Sequence, residues 1–310
     1  MKSTKHLLLL IITLMSININ AQETVSLTIN VETAGTLQEL IPSSQKYQIT
    51  NLTLSGHLND TDIRYISEMA GKFVDGTSPD GKLSVLDLLE AQIVTNSEGA
   101  YSSLNTIGAL AFHGCTSLTA ITLPNSVTKI GMGAFSGCRG LTSITIPNSV
   151  TTIEEAAFSD CSGLTSVTFP NSLTTIGTSA FSGCTGLTSI TIPYGITTIG
   201  NYAYANCPSL KEFIVSDNNP AFKSIAGVLF NKDETRLIAY PNSKSNTYTI
   251  PNSVTIIGNH AFYGCSGLST VTFPNSITTI EYNAFGNCVG LSSVTFPNSI
   301  TTIESHAFIK

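Results

Sequence analysis

The chain has 310 residues, of which 11% are charged, with 14 Lys plus Arg against 20 Asp plus Glu and a net charge of −6. Ordinary globular proteins carry about 25% charged residues, and a chain this poor in cations has no basic stripe for nucleic acid or for an anionic membrane surface. The length alone would suggest about two domains, but an internal repeat argues against that division.

Residues 1–21, MKSTKHLLLLIITLMSININA, place Lys2 and Lys5 before the apolar run Leu7–Met15 and end on Ala21. That is the pattern of a secretory signal peptide. The apolar run is nine residues, against the ~20 that a membrane-spanning helix needs. No later segment approaches that length, and no Cys follows Ala21 to carry a lipid anchor. The expectation is an exported chain without a transmembrane segment, secreted or held at the cell surface.

Residues 22–100 hold much of the charge and depart from the repeat. ETVSLTINVET predicts a strand, Thr61–Ala70 a short helix with Ile63, Ile66 and Met69 inward, and KLSVLDLLEAQIV a strand entering the stack. Terminal units of repeat arrays must be atypical to shield the first apolar coil, so this region is expected to be an N-terminal cap. The alternative is a separate ligand-binding domain, with the loop Asp75–Gly81 as its most exposed part.

From residue 101 onward a 23-residue unit dominates, with complete copies beginning at Leu118, Leu141, Leu164, Leu187 and Leu268. A frayed copy ends in Cys115, and a truncated one starts at Leu291. A period in the twenties marks a solenoid, whose coils bury their apolar side only by stacking on neighbours. Counting from the first Leu, position 4 (Ile121, Ile144, Val167, Ile190) and position 6 (Leu123, Ile146, Phe169, Ile192) stay apolar, while positions 3 and 5 are almost all Ser or Thr. This period-two alternation predicts one short strand per coil. Pro147 and its equivalents follow and should end the ladder. A second apolar set, Val150, Ile153, Ala157 and Phe158, is expected on the return path, with Gly137 and its equivalents at the last bend.

Between Cys207 and Cys265 the register breaks. Residues 227–241, GVLFNKDETRLIAYP, predict a β-hairpin turning at Asn231–Glu234, within an insertion of about 216–246. Insertions in repeat proteins map to one face, often the binding face, so Lys232, Asp233, Glu234 and Arg236 are candidate ligand-binding residues. The plain alternative is a hairpin with no role of its own.

Five of the seven cysteines, Cys115, Cys138, Cys161, Cys184 and Cys207, are spaced by 23, as are Cys265 and Cys288. Stacked coils would bring their Cα atoms ~4.8 Å apart, but parallel side chains would keep the Cβ atoms nearly as far apart, against the ~3.8 Å a disulfide wants. A column of buried thiols is the expectation. No CxxC or paired Cys-His spacing offers a metal site, and HExxH, GxSxG and P-loop patterns are absent. His260 and His306 share one repeat position and read as coil-surface residues. No enzymatic activity, cofactor or metal is expected.

Residues 101–310, with LPNSVTKIGMGAFSGC as the clearest signature, resemble the BspA-like leucine-rich repeats of bacterial surface proteins, and GTLQELIP, ITNLTLSG and TDIRYISEMAG resemble the cap that precedes such repeats. The resemblance implies an α/β solenoid: a curved, right-handed leucine-rich repeat array with a parallel β-sheet on its concave face, secreted, and adhesive toward host proteins, glycans or other cells. The outward residues of that sheet would be Ser143 and Thr145, Ser166 and Thr168, Ser189 and Thr191. This face lacks the aromatic and Arg anchors of tight interfaces, so weak multivalent adhesion, a structural spacer and ice binding by a hydroxyl ladder are the competing readings. The last coil, with Val294 and Phe296 on what would be an edge strand, suggests end-to-end self-association.

Overall fold

In a computed structural model, residues 24–72, 81–95 and 104–310 are described. The expected signal peptide at 1–21 and residues 75–80 of the candidate loop lie outside the described residues. The chain forms a curved solenoid of stacked coils with two rows of short parallel strands, a long-strand row hydrogen-bonded in four separate pieces and a short-strand row in two, hereafter the long and the short ladder.

The long ladder follows the alternation. Ser143–Thr145 pairs in parallel with Ser166–Thr168, matching Ser143 to Ser166, Ile144 to Val167 and Thr145 to Thr168. Ile144 and Ile146 point into the core, whereas Ser143 and Thr145 are exposed. β-Branched residues suit such a pleated, half-buried surface. The strand ends before Pro147, and Asn148 and Ser149 turn the chain, with Val150 N–H donating to the Pro147 carbonyl at 3.0 Å.

The return path holds a second strand that the alternation does not reveal. Thr152–Ile153 pairs with Lys129–Ile130 on one side and Thr175–Ile176 on the other. The expectation of one strand per coil is therefore corrected to two. Two residues are too few to display period-two alternation, and the pairing depends on the neighbouring coils rather than on local pattern. On the third side, Phe158 N–H donates to the Ala180 carbonyl at 2.8 Å. The rings of Phe112, Phe135, Phe158 and Phe181 stack with centroids 5.1–5.2 Å apart. Gly137 takes a φ of +73° at the last bend, as expected, with its equivalent Asp160 at +57°. Gly163, three positions further along the unit, is needed because a Cβ there would lie 2.4 Å from the Arg139 carbonyl oxygen.

All seven cysteines are buried and free, so the thiol column forms as expected. Cys161 Sγ donates to the carbonyl of Phe135 at 3.0 Å, and Cys184 to that of Phe158 at 3.1 Å. Burial pushes these thiols well up from their usual range, which keeps them protonated donors.

The N-terminal residues continue the long ladder. β1 (Ser26–Val31), β2 (Asn51–Leu58) and β3 (Val85–Ile93) run parallel in that order, and β3 pairs with Ala120–Thr122 of the first full coil. Two single-turn helices, α1 (Leu37–Leu40) and α2 (Ser43–Lys46), and the longer α3 (Asp60–Met69) cover the core. α3 buries Ile63, Ile66 and Met69. Asn59 closes its N-terminus in a capping box with Asp62. The buried Asp62 carboxylate also accepts from Gly35 N–H at 2.6 Å and Leu37 N–H at 3.0 Å, tying α3 to the preceding loop.

The insertion is more than a hairpin. Phe222–Ile225, Val228–Asn231 and Arg236–Ala239 form an antiparallel meander, whose last strand pairs in parallel with Ile256–Ile257 and so rejoins the short ladder. Val228, Leu229, Phe230 and Leu237 are fully buried. The meander divides the interior into two apolar clusters, Leu229 packing with the N-terminal one and Val228 with the C-terminal one. In the last coil, residues 291–297 carry no strand, so the expected edge strand through Val294 and Phe296 is absent; only Thr302–Ile303 pairs back, with Thr279–Ile280.

Candidate functional site

The ten residues singled out from sequence fall on two different ladders. Ser143, Thr145, Ser166, Thr168 and Thr191 are exposed and Ser189 is half-exposed along the long ladder. Their column stops at the next coil, where Ser189 pairs with Glu212 and Thr191 with Ile214. The hydroxyls that do bond between coils belong to the preceding position. Thr142 donates to the Thr119 carbonyl at 3.3 Å and Thr165 to that of Thr142 at 3.1 Å, which leaves the outward Ser and Thr free for solvent or a ligand.

The charged turn of the insertion belongs to the short-ladder side. Glu234 pairs with Lys223, Arg236 pairs with Glu281, and Lys232 Nζ donates to the Asp217 carbonyl at 3.3 Å. Asp233 is exposed and forms no ion pair among the described residues. Three of the four charges thus hold the insertion together. Asn219 completes this anchoring, although nothing in its sequence context distinguishes it from Asn218. It is fully buried, donates to the Pro193 and Ile196 carbonyls at 2.8 and 2.9 Å, and accepts from the N–H groups of Ala221 and Phe222.

Where the two half-arrays meet behind the insertion, a cavity of about 190 Å³ remains. Tyr202, Tyr204, Tyr240, Tyr263, His260 and Arg236 contribute to its wall. His260, expected on a coil surface, is instead 9% exposed and packs face to face with Tyr202. The insertion causes this, because it brings the coil of Tyr202 directly onto the coil of His260. Asn242 clamps the two halves, accepting from Cys207 N–H at 3.3 Å and donating to the Tyr263 carbonyl at 3.0 Å. Asn283 Nδ2 adds a bond to the Tyr202 hydroxyl at 2.8 Å.

Polar atoms are left over at this junction. Both ring nitrogens of His260, the Tyr204 hydroxyl and Asn283 Oδ1 are buried without a hydrogen-bond partner. Desolvation lowers the His260 pKa from the usual 6.5 to about 4, so the ring is neutral at pH 7, and it pushes the Tyr204 hydroxyl well up. A signal for this place does exist in the sequence: NYAYANC puts Tyr204 where other coils carry the stacked Phe. What a sequence does not disclose is the partner across the gap. Among the described residues no group of three or more His, Cys, Asp or Glu could hold a metal, and no helix is long and apolar enough to cross a membrane.

No curated protein matches the chain. The solved structure of the pneumococcal vaccine antigen PcpA is similar with a TM-score of 0.64 and 23% identity, over 94% of this chain and 75% of that one. A leucine-rich cell surface protein of Faecalibacterium prausnitzii gives a TM-score of 0.58 and 24% identity, over 94% and 83% of the two chains. At these identities the likeness is one of fold. The family model of the BspA type leucine rich repeat region matches residues 105–233 and 236–310, in six copies. With the 23-residue period, the two ladders and the stacked Phe and Cys columns in register with that match, the chain belongs to the BspA-type leucine-rich repeat family.

Proposed function

We propose that this chain is a secreted or cell-surface binding protein that adheres to host proteins, glycans or other cells through its repeat scaffold. The observation that carries the reading is the long face of the coils, where exposed Ser and Thr recur on successive short strands, Ser143 and Thr145 beside Ser166 and Thr168 in one parallel pair and Thr191 on the next strand. Each contact on such a face is weak, and repetition turns weak contacts into avidity. The fold likeness to a vaccine antigen and to a cell surface protein supports a place outside the cell, as does the signal-peptide pattern of residues 1–21. Charged residues placed in the apolar run, as in Leu9→Arg with Leu10→Arg, are expected to retain the chain inside the cell, and normal export of that variant would overturn the signal-peptide reading.

The adhesion test uses the exported chain on arrays of host matrix proteins and glycans. Deleting the hairpin would remove core residues, so substitutions are the cleaner probe. Thr145→Lys with Thr168→Lys is expected to weaken capture by more than about tenfold, since both positions face solvent on paired strands and avidity falls steeply when two adjacent contacts are lost together. Loss caused instead by Lys232→Ala with Asp233→Ala would move the site to the insertion. No capture by the unaltered chain leaves the second reading, a spacer without its own ligand, which the internal use of Glu234 and Arg236 favours. Ice binding has less support, because Glu212 and Ile214 interrupt the hydroxyl column.

End-to-end self-association belongs to the same proposal. Phe296, Ile303 and Ile309 of the last coil are 41%, 47% and 46% exposed, a face that a second copy could cover. Sedimentation that finds only monomer at high concentration would overturn it.

A further inference from the structure

The regular coils satisfy most of their buried polar atoms by translation, Ser126 and Ser299 being the exceptions among the described residues, whereas at the junction the unmet atoms cluster. Of the six buried side-chain nitrogen and oxygen atoms without a partner among the described residues, four lie at the junction: two on His260, one on Tyr204 and one on Asn283. Buried polar groups in folded proteins are almost always satisfied by protein, water or ligand. Tyr204 is 5% exposed and His260 9%, and both line the cavity. The observation is thus a hollow lined by two residues, Tyr204 and His260, that carry unmet hydrogen-bonding groups, with a third, Asn283, bonded to the lining residue Tyr202.

The chemistry of the wall restricts the occupant. Charge is balanced: Arg236 is paired with Glu281, whose Oε2 also accepts from Asn259 N–H at 3.0 Å, and His260 is neutral. A free anion or cation gains little there, since no unpaired counter-charge faces it. The remaining groups are neutral donors and acceptors, with the side chains of Asn201 and Asn259 making no hydrogen bond among the described residues and Asn201 exposed at the rim. Beside them stand four tyrosine rings, whose faces carry negative charge density and attract the polarised C–H groups of a ligand. A partly open space of about 190 Å³ admits several waters or one small ring-sized molecule. An occupant that is neutral, rich in hydroxyls, apolar on one face and of this size is a pyranose.

We infer that the junction cavity binds one neutral sugar ring, seated on a tyrosine face and hydrogen-bonded by Tyr204, His260, Asn201 and Asn259. This deepens the adhesion reading and rests on it for the source of the sugar, the end of a glycan chain, but not for the site. The insertion then acts as the device that opens a pocket in an otherwise closed stack, rather than as the contact surface itself.

The test is saturation-transfer NMR on the exported chain with the methyl glycosides of glucose, galactose, mannose and N-acetylglucosamine, at concentrations bracketing a Kd of about 1 mM. Saturable transfer to at least one glycoside is the expected result. Tyr204→Phe keeps the ring and removes only the unpartnered hydroxyl, so it is expected to weaken binding about tenfold while leaving the melting temperature unchanged or higher. Asn201→Ala, an exposed change that spares folding, is expected to weaken binding several-fold. No saturable transfer with any of the four glycosides would overturn the inference and leave water as the occupant. Binding unaltered by both substitutions would overturn it too, by placing the sugar elsewhere. Capture on the matrix and glycan arrays that persists without glycoside binding removes the cavity and keeps adhesion, whereas glycoside binding without any array capture does the reverse.

Discussion

Coils 118–199 and the junction 200–263 draw on the same residues and reach opposite outcomes. In the regular coils each stacked Phe meets a ring of the next coil, each Cys a carbonyl, and the short strands up to Thr175–Ile176 lie between two parallel neighbours, because each partner is supplied by the adjacent copy of the 23-residue unit. At the junction the shift fails. Phe gives way to Tyr204, the short ladder takes in an antiparallel meander, and a His that would be harmless on an exposed coil is enclosed against Tyr202. Repetition secures stability because identical neighbours satisfy one another; breaking it is what leaves a cavity and unspent hydrogen bonds.

The largest expected effect tests the regular half. Phe158→Ala empties a fully buried position between two stacked rings and is expected to cost about 3–5 kcal/mol, read by urea denaturation. A loss below about 1 kcal/mol would mean that the ring column is not a principal source of stability. Next, Asn219→Ala strands two carbonyls and two N–H groups, with an expected loss of about 2–3 kcal/mol in the same measurement. Asn218→Ala, exposed one residue earlier, should leave stability within about 0.5 kcal/mol. Equal effects of the two would break the claim that Asn219 fastens the insertion.

The junction should also respond to acid in a way the regular coils do not. Because the folded His260 pKa is lowered to about 4 from the usual 6.5, the unfolded chain binds more protons between those values. Stability contributed by the neutral ring is therefore complete above pH 6.5 and is lost as pH falls toward 4. The difference in melting temperature between the unaltered chain and His260→Gln should shrink or reverse over that window. A pH-independent difference would show that His260 does not titrate with unfolding. Apart from the Asn218→Ala control, the smallest effect is expected from Glu234→Gln, which breaks a partly exposed ion pair with Lys223 and should cost no more than about 1 kcal/mol.

The regular half could be read directly from the residues. Ile144 and Ile146 alternate with Ser143 and Thr145, Phe158 and Cys161 recur at fixed positions, and Pro147 closes the strand, so local pattern and tertiary neighbour coincide. Thr152–Ile153 escaped that reading because two residues carry no period. β2 escaped because its sequence, NLTLSGHL, breaks alternation at Ser55 and Gly56, and α1 because four residues are too few to show a helical period. Lys232 to Arg236 drew notice as charge, yet most of that charge binds its own neighbours. Tyr204 and His260 lie 56 residues apart in the chain, and only the geometry of the meander brings them to one wall.

The thiol bonds have a consequence for how such a gene can change. Cys138, Cys161, Cys184, Cys207 and Cys288 each donate backward to a carbonyl of the preceding coil, as Cys161 does to Phe135 and Cys184 to Phe158. A duplicated or deleted block of 23 residues therefore arrives with its own donor and leaves its own acceptor behind, closing the bonds on both sides without compensation elsewhere. Array length is thus free to drift between descendants. The meander has no such freedom, since its strands and Asn219 fit one unique pair of neighbours, and it can be inherited only once per chain.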